Sequence, residues 1–302
     1  MSKEKKQSQL VRAAKCLLGK HCPVLATRIF MRRKLNYGLN LNDPKTLNQK
    51  MQWLKLNVYS NDQHIADCVD KYKVRAIVEN AGLGDILTQL YGVWENAENI
   101  DWDKLPNRFV LKCNHGSGYN IICKDKENFN KRQAINQLNK WMSENYGYEN
   151  AELIYDLVDH KIICEEYIDT EDGLPPKDYK VFCQYGQPKL LFVAQDRYDG
   201  NTKFDYYDLN WNWINVRNGH PNAEKRMERP SFLEEMCKAA SILSKDFPLV
   251  RVDFYHENGK LYFGELTFLH FGGVQCFEPD KYDYIFGEMF PLDIKKLKSI
   301  NK

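Results

Sequence analysis

Apolar and polar positions along the chain follow two periods, and the change from one to the other divides it. Between residues 35 and 90 the apolar positions recur at helical spacing. Leu47, Met51, Leu54 and Val58 form one stripe with Trp53 alongside, entered through the turn Asp43-Pro44-Lys45-Thr46. A second helix is expected from about residue 62 through Asp70-Lys71-Tyr72-Lys73-Val74-Arg75, closed by Gly82 and Gly84. Beyond it the pattern shortens to runs of strand length: 86–94, then 109–113 and 120–123 on either side of Asn114-His115-Gly116-Ser117-Gly118-Tyr119, then 161–168. Helices are expected at 131–145 and 231–245, a hairpin at 178–186 and 188–195, and strands around Tyr206 and Trp213. The last hairpin, 249–255 and 260–268, closes through Glu257-Asn258-Gly259.

With 302 residues and 43% hydrophobic content the chain can bury a sizeable core without staples, in more than one domain. Nine cysteines occur without a Cys-x-x-Cys, no histidine pair has zinc spacing and no secretory leader precedes them, so reduced thiols in a cytoplasm are expected. No apolar run reaches membrane-spanning length. The net charge of +2 hides an asymmetry, because residues 1–34 hold ten Lys or Arg against Glu4 alone. Within this arm Leu10, Val11, Ala14, Leu17 and Leu18 recur at helical spacing between the cations. Such a stripe either lies on an anionic membrane surface or packs on the protein itself. Nucleic acid is not an expected partner, since no aromatic platform is interleaved with the charges.

Chemistry concentrates first in the 114–119 turn. Gly116 and Gly118 let the backbone bend and present N–H groups, Ser117 and Asn114 add donors, and Lys112 sets a cation at the base, which suits phosphate. An ordinary Gly-Ser-Gly hairpin turn has the same composition. Cys113 reads as a buried apolar strand residue rather than a nucleophile. In the last hairpin an acid interrupts each apolar run. A tight turn brings Asp253 roughly level with Glu265, and the Thr267 hydroxyl completes an oxygen-rich set for Mg²⁺; the alternative is a pair of solvated strand carboxylates. Arg251 alternates onto the Asp253 face, to pair with it or with a substrate carboxylate. His270, in Leu269-His270-Phe271-Gly272-Gly273, is either an acceptor-side base or structural. Asp101-Trp102-Asp103 has the form of a nucleotide-sugar metal site, but lacks the preceding apolar strand.

In order and spacing, "LNDPKTLNQKMQWLKL", "VDKYKVR", "NRFVLKCNHGSG", "EEYI", "DYKVFC", "DFPLVRVDFY" and "LYFGELTF" resemble the ATP-grasp superfamily, most closely its teichuronopeptide-biosynthesis (TupA-like) branch, from Lys34 to about Tyr284. The resemblance implies two α+β lobes gripping ATP: a basic arm at 1–34, a mainly helical region at 35–108, a small lobe with a phosphate-covering loop at 109–168, and a large lobe with the metal and acceptor site at 169–302. It implies an ADP-forming ligase that activates a carboxylate as an acyl phosphate and joins it to an amine, with ATP and Mg²⁺ as cofactors. Carried over by position, Lys112 and Lys180 are catalytic residues, and Arg251, read from its place on the Asp253 face, is expected with them. Lys71, Lys112, Gly116, Ser117, Gly118 and Lys180 meet the nucleotide phosphates, joined by Asn114 as a donor of the turn, and the strand Glu165-Glu166-Tyr167-Ile168 receives adenine through the backbone of Glu166 and Ile168. Asp253, Glu265 and Thr267 hold the metal, Thr267 standing where many relatives have Asn. The family setting implies surface or capsular polysaccharide: a carboxylate-bearing sugar or glycan and a small amine, an amino acid or amino alcohol, joined in the cytoplasm with the arm against the inner membrane face. The rival reading is a glycosyltransferase using a nucleotide-sugar, which would need Asp101 and Asp103.

Overall fold

The structure, a computed structural model, describes residues 3–197 and 200–300; the first two residues of the basic arm and the last two of the chain lie outside them. The arm folds as two helices, α1 (Lys3–His21) and α2 (Pro23–Leu35), with Pro23 at the start of the second, where a missing N–H leaves no bond unmade. Ala26, Thr27, Met31 and Leu35 bury the inner face of α2. Helix α3 (Leu47–Leu54) opens in a reciprocal capping box between Thr46 and Gln49 and runs on into a π-helical turn, Lys55–Tyr59.

Where one helix was expected from residue 62 onward there are two, α4 (Gln63–Val69) and α5 (Val74–Asn80). The Asp70 carboxylate accepts from the N–H groups of Tyr72 (2.8 Å) and Lys73 (3.2 Å), an Asx turn that competes with the helix and ends it. That break turns Lys71 out of the helical register.

Strands β1 (Leu90–Trp94), β2 (Phe109–Cys113) and β3 (Asn120–Cys123), helix α6 (Lys131–Met142) and strand β4 (Ile162–Glu166) make the first sheet unit, an antiparallel sheet in the order β1-β4-β2-β3. The sheet thus takes in a strand from upstream of residue 109. Phe109, Leu111, Ile162 and Cys164 bury one side of it with Leu138 of α6.

The second sheet grows from the later hairpins: β5 (Asp178–Gln184) with β6 (Gln187–Gln195), then β7 (Lys203–Tyr207) and β8 (Trp213–Ile214). After β9 (Arg217–Asn218) and helix α7 (Leu233–Leu243) come β10 (Val250–Glu257) and β11 (Lys260–Thr267), and the order is β11-β10-β5-β6-β7-β8. Strand β12 (Phe277–Glu278) pairs with β9, and α8 (Lys281–Met289) and α9 (Ile294–Ile300) end the described chain. Val181, Val252 and Phe254 point into the main core. The alternate positions of the same strands therefore face the other way, and there the charged residues stand.

Candidate active site

A cleft of about 770 Å³ draws its walls from both sheets, the helical region and the arm. Lys71, Lys112, Gly116, Ser117 and Gly118 line one end; Lys180, Arg251, Asp253, Glu265 and Thr267 line its middle; Lys15 and Lys34 of the arm also reach it. Among the described residues, Asn114 and the segment 165–168 are not in its lining.

Antiparallel pairing sets Lys180 opposite Asp253 and Asp253 opposite Glu265, one row across three strands. A bulge at Gly264 makes the second pairing possible. A Cβ there would stand 3.1 Å from the Asp253 carbonyl, so glycine suits the close backbone approach. Asp253 is 1% exposed and its Oδ1 accepts from Arg251 Nε at 2.6 Å. Its Oδ2 accepts from Arg251 Nη2 at 2.7 Å and from the Lys180 ammonium. Arg251 Nη2 also donates to Thr267 Oγ1 (3.0 Å), whose hydroxyl donates to Glu265 Oε1 (3.2 Å). On the far side of Glu265, Lys71 Nζ stands 3.8 Å from Oε2 and donates to the Gly116 carbonyl at 2.6 Å. One run of contacts thus joins the glycine loop to the acidic hairpin. Burial alone would raise the Glu265 carboxyl; Lys71, Lys180 and Arg251 outweigh it and hold the group down to about 2.

His270 is buried, with Nδ1 2.6 Å from Arg251 Nη1 and Nε2 2.7 Å from Asn218 Oδ1. A guanidinium only donates, so Nδ1 accepts and the proton sits on Nε2, facing Asn218. Burial and the charges of Arg251 and Lys180 push its pKa well below the usual histidine range. His270 is therefore a neutral strut for Arg251 rather than a base. Asn218 was not singled out from sequence, since it lies in a polar stretch with no period.

At the other end, Gly116 and Gly118 both take left-handed backbone (φ 82° and 77°), and a Cβ on Gly116 would meet the Tyr146 ring at 2.7 Å. Ser117 is exposed at the tip. One expectation needs correction. Asn114 is fully buried: its Nδ2 donates to the Asp159 carbonyl at 2.8 Å and its Oδ1 accepts from the Lys161 N–H at 2.7 Å. It ties the loop to the approach of β4 and offers no donor to a ligand. The Glu165 side chain turns inward, its carboxylate held by Lys112 (2.5 Å) and Arg75 (2.8 Å), which leaves the expected backbone reading of adenine by 165–168 untouched. Burial raises that carboxyl, but the two cations bring it below its usual value. Glu166 is pinned to Gln89, its N–H donating to the Gln89 carbonyl (2.9 Å) and its carboxylate accepting from the Gln89 N–H (3.1 Å). Tyr167 lies under the Lys124 ammonium at 5.8 Å, and Ile168 follows directly after β4.

Two sheet-bearing lobes around a cleft that carries a glycine loop on one side and a cation-and-carboxylate row on the other define an ATP-grasp protein of α+β class. The chain belongs to the TupA-like ATPgrasp family, whose model matches residues 49–291, and it is thereby an ATP-grasp ligase. No curated protein matches the sequence. Among solved structures it is similar to D-alanine–D-alanine ligase from Bacillus anthracis complexed with ATP, with 16% identity, 86% of this chain and 77% of that one covered, and a TM-score of 0.49. It is also similar to N5-carboxyaminoimidazole ribonucleotide synthetase from Thermus thermophilus, with 9% identity, 75% and 53% covered, and a TM-score of 0.41.

Proposed function

We propose that this ATP-grasp ligase joins a small amine, an amino acid or amino alcohol, to a carboxylate on a sugar or glycan during surface or capsular polysaccharide biosynthesis. The bond is carbon–nitrogen, the route an acyl phosphate and the nucleotide product ADP. The run of contacts from Gly116 through Lys71, Glu265, Thr267 and Arg251 to Asp253 and Lys180 carries the reading. Phosphoryl transfer asks the protein for placed charge rather than for a nucleophile, and this row is placed charge. Lys71, Lys112 and the Gly116–Gly118 loop hold the nucleotide phosphates, and Lys180 faces the transferred group. The substrate carboxylate attacks the γ-phosphorus and ADP leaves; the amine then displaces phosphate from the acyl carbon. Arg251, locked by Asp253 and His270, orients the carboxylate.

The donor set also fits Mg²⁺, a hard cation that takes one or two carboxylates plus nucleotide phosphates. Glu265, its side chain 37% exposed, and Thr267 would hold it, with Asp253 behind them. Bound there, the ion neutralises charge on the phosphates. Among the described residues no group of three or more His, Cys, Asp or Glu gathers as a protein-only metal cage, so substrate phosphates would complete the shell.

The deciding experiment follows label from an ¹⁸O-carboxylate into released phosphate, with ADP as the nucleotide product. AMP and pyrophosphate, or unlabelled phosphate, would overturn the reading. Mass spectrometry of the surface glycan with and without the protein identifies the acceptor. Tighter calorimetric binding of a nucleotide-sugar than of ATP would favour a glycosyltransferase. Nothing in the site favours one, for Asp101 pairs with exposed Lys104 and lies outside the cleft lining.

Backbone reading of adenine by the strand after Glu165 makes a further prediction. Ile168→Pro removes an N–H and should weaken ATP binding about tenfold, whereas Tyr167→Ala should change it little. Equal effects in calorimetry would exclude 165–168 as the adenine site.

The arm docks on the protein through residues other than most of its apolar stripe. Arg12 pairs with Glu144 and Glu149, and Gly19 packs so closely on the Tyr148 carbonyl that a Cβ would stand 1.9 Å from it. Yet Leu10, Val11, Leu17, Val24 and Leu25 remain 40–71% exposed beside the cations. Among the described residues no helix is long and apolar enough to cross a membrane. This row supports peripheral contact with an anionic inner leaflet from the cytoplasmic side. Replacing Leu10, Leu17 and Leu25 together by Gln should lower co-sedimentation with anionic vesicles by on the order of tenfold or more and leave ATP affinity unchanged. Undiminished sedimentation would sink the membrane role.

A further inference from the structure

One stretch of the cleft wall is not used by the phosphoryl-transfer row. Lys55 and Glu152 both line it, 2% and 7% exposed. Lys55 begins the π-helical turn after α3, and Glu152 follows the turn Tyr146–Asn150. Two buried charges of opposite sign in one wall would normally close on each other, because contact offsets the desolvation of both. These do not: among the described residues neither forms an ion pair. Asn150 stands between them. Lys55 Nζ donates to the Asn150 carbonyl at 3.1 Å, and the nearby Asn150 side chain favours the charged form of the Glu152 carboxyl. An ammonium has three donors and a carboxylate about four acceptor positions, so each keeps capacity in hand.

The wall opposite is fixed and small. Phe271, Gly272 and Gly273 all adopt left-handed backbone (φ 49°, 62° and 67°), and Gln52 Nε2 holds the carbonyls of Gly272 (2.6 Å) and Gly273 (3.0 Å). A Cβ added to Gly272 would lie 3.6 Å from Glu152 Oε1, in ordinary contact, so this turn borders the carboxylate directly. Tyr146 and Tyr155 feel the charge of both Glu152 and Glu265, and the two rings meet edge to face, 5.0 Å between centroids. Burial raises the Glu152 carboxyl and lowers the Lys55 ammonium, each acting to restore the other's charge.

We propose that Lys55 and Glu152 form the subsite for the amine substrate and that this substrate is an amino acid, its ammonium on Glu152 and its carboxylate on Lys55. The inference rests on the ligase reading above and decides between the two amine classes left open there. An amino alcohol would satisfy Glu152 and leave Lys55 buried without an anion. A zwitterion supplies both missing partners at once.

The test is equilibrium binding of the common amino acids, in L and D forms, and of their amino alcohols to the full chain saturated with AMP-PNP and Mg²⁺. At least one amino acid should bind, and its amino alcohol should bind at least about tenfold more weakly. Lys55→Met should abolish that difference, Lys55→Arg should keep it, and Glu152→Gln should weaken both ligands. Absence of amino-acid binding at about 10 mM, a tighter amino alcohol, or a preference that survives Lys55→Met would overturn the subsite. The wild-type comparison stands even if a variant does not fold. Intact AMP-PNP binding without amino-acid binding rejects this subsite alone, whereas failure of the wild type to bind AMP-PNP rejects the ligase reading itself.

Discussion

Glu265→Gln should lower kcat by about a hundredfold or more, a loss of about 3 kcal/mol of transition-state stabilisation, with ATP affinity changed only about threefold or less. The asymmetry follows from position. Glu265 is the carboxylate of the row that opens to the cleft, bridged to the glycine loop by Lys71 and to Arg251 through the Thr267 hydroxyl. Its charge balances the cations that must redistribute as the γ-phosphoryl moves, whereas resting phosphates are gripped by Lys71, Lys112 and the loop. Glutamine keeps the shape and removes the charge. Steady-state ADP release together with calorimetry reads both quantities, and a loss of affinity with kcat unchanged would show that Glu265 acts in binding only.

Asp253→Asn should damage the fold as well as the chemistry. Asp253 is all but fully buried, and both its oxygens accept from cations: Arg251 on two sides and Lys180 on one. Removing one partner of a buried pair leaves uncompensated charge, which costs about 3–5 kcal/mol. Denaturant unfolding should show a loss of that order, and Arg251→Met placed in the same chain should recover part of it, because it removes one of the stranded cations. A single variant within about 1 kcal/mol of wild type would mean that water reaches the row and that the pairing is looser than the geometry states. The contrast with Glu265→Gln, where the partly exposed side chain should lose less stability than Asp253, separates the two acids that sequence spacing treats alike.

Much of the fold was legible because its causes are local. The Glu257-Asn258-Gly259 turn closes β10 and β11 through left-handed Asn258 and Gly259 (φ 51° and 74°), as Asn-Gly composition predicts. Asn130 caps α6, and its Ile135 and Leu138 turn inward as the period requires. The missed break at Asp70 was a local signal too, an Asx turn outweighed in reading by the apolar period on either side. Asn114 was misread for a different reason. Its partners lie 45 or more residues away, at Asp159 and Lys161, and a polar residue beside a motif looks the same in sequence whether it faces the ligand or the core.

By itself the sequence determined the order of helices and hairpins, the glycine loop, the excess of cations in the arm and the two acids of the last hairpin, since periodicity and turn chemistry act over a few residues. Only the tertiary structure decided which side each acid takes. The pairs Glu257 with Lys260 through Phe254 with Phe263 run in strict register, and continuing it would set Glu265 opposite Val252, toward the core. One extra residue at Gly264 shifts the ladder and turns Glu265 to face the cleft beside Asp253. A bulge is a compromise between two strands and the elements packed on them, so Gly264 permits it in the sequence while only the pairing of both strands fixes it.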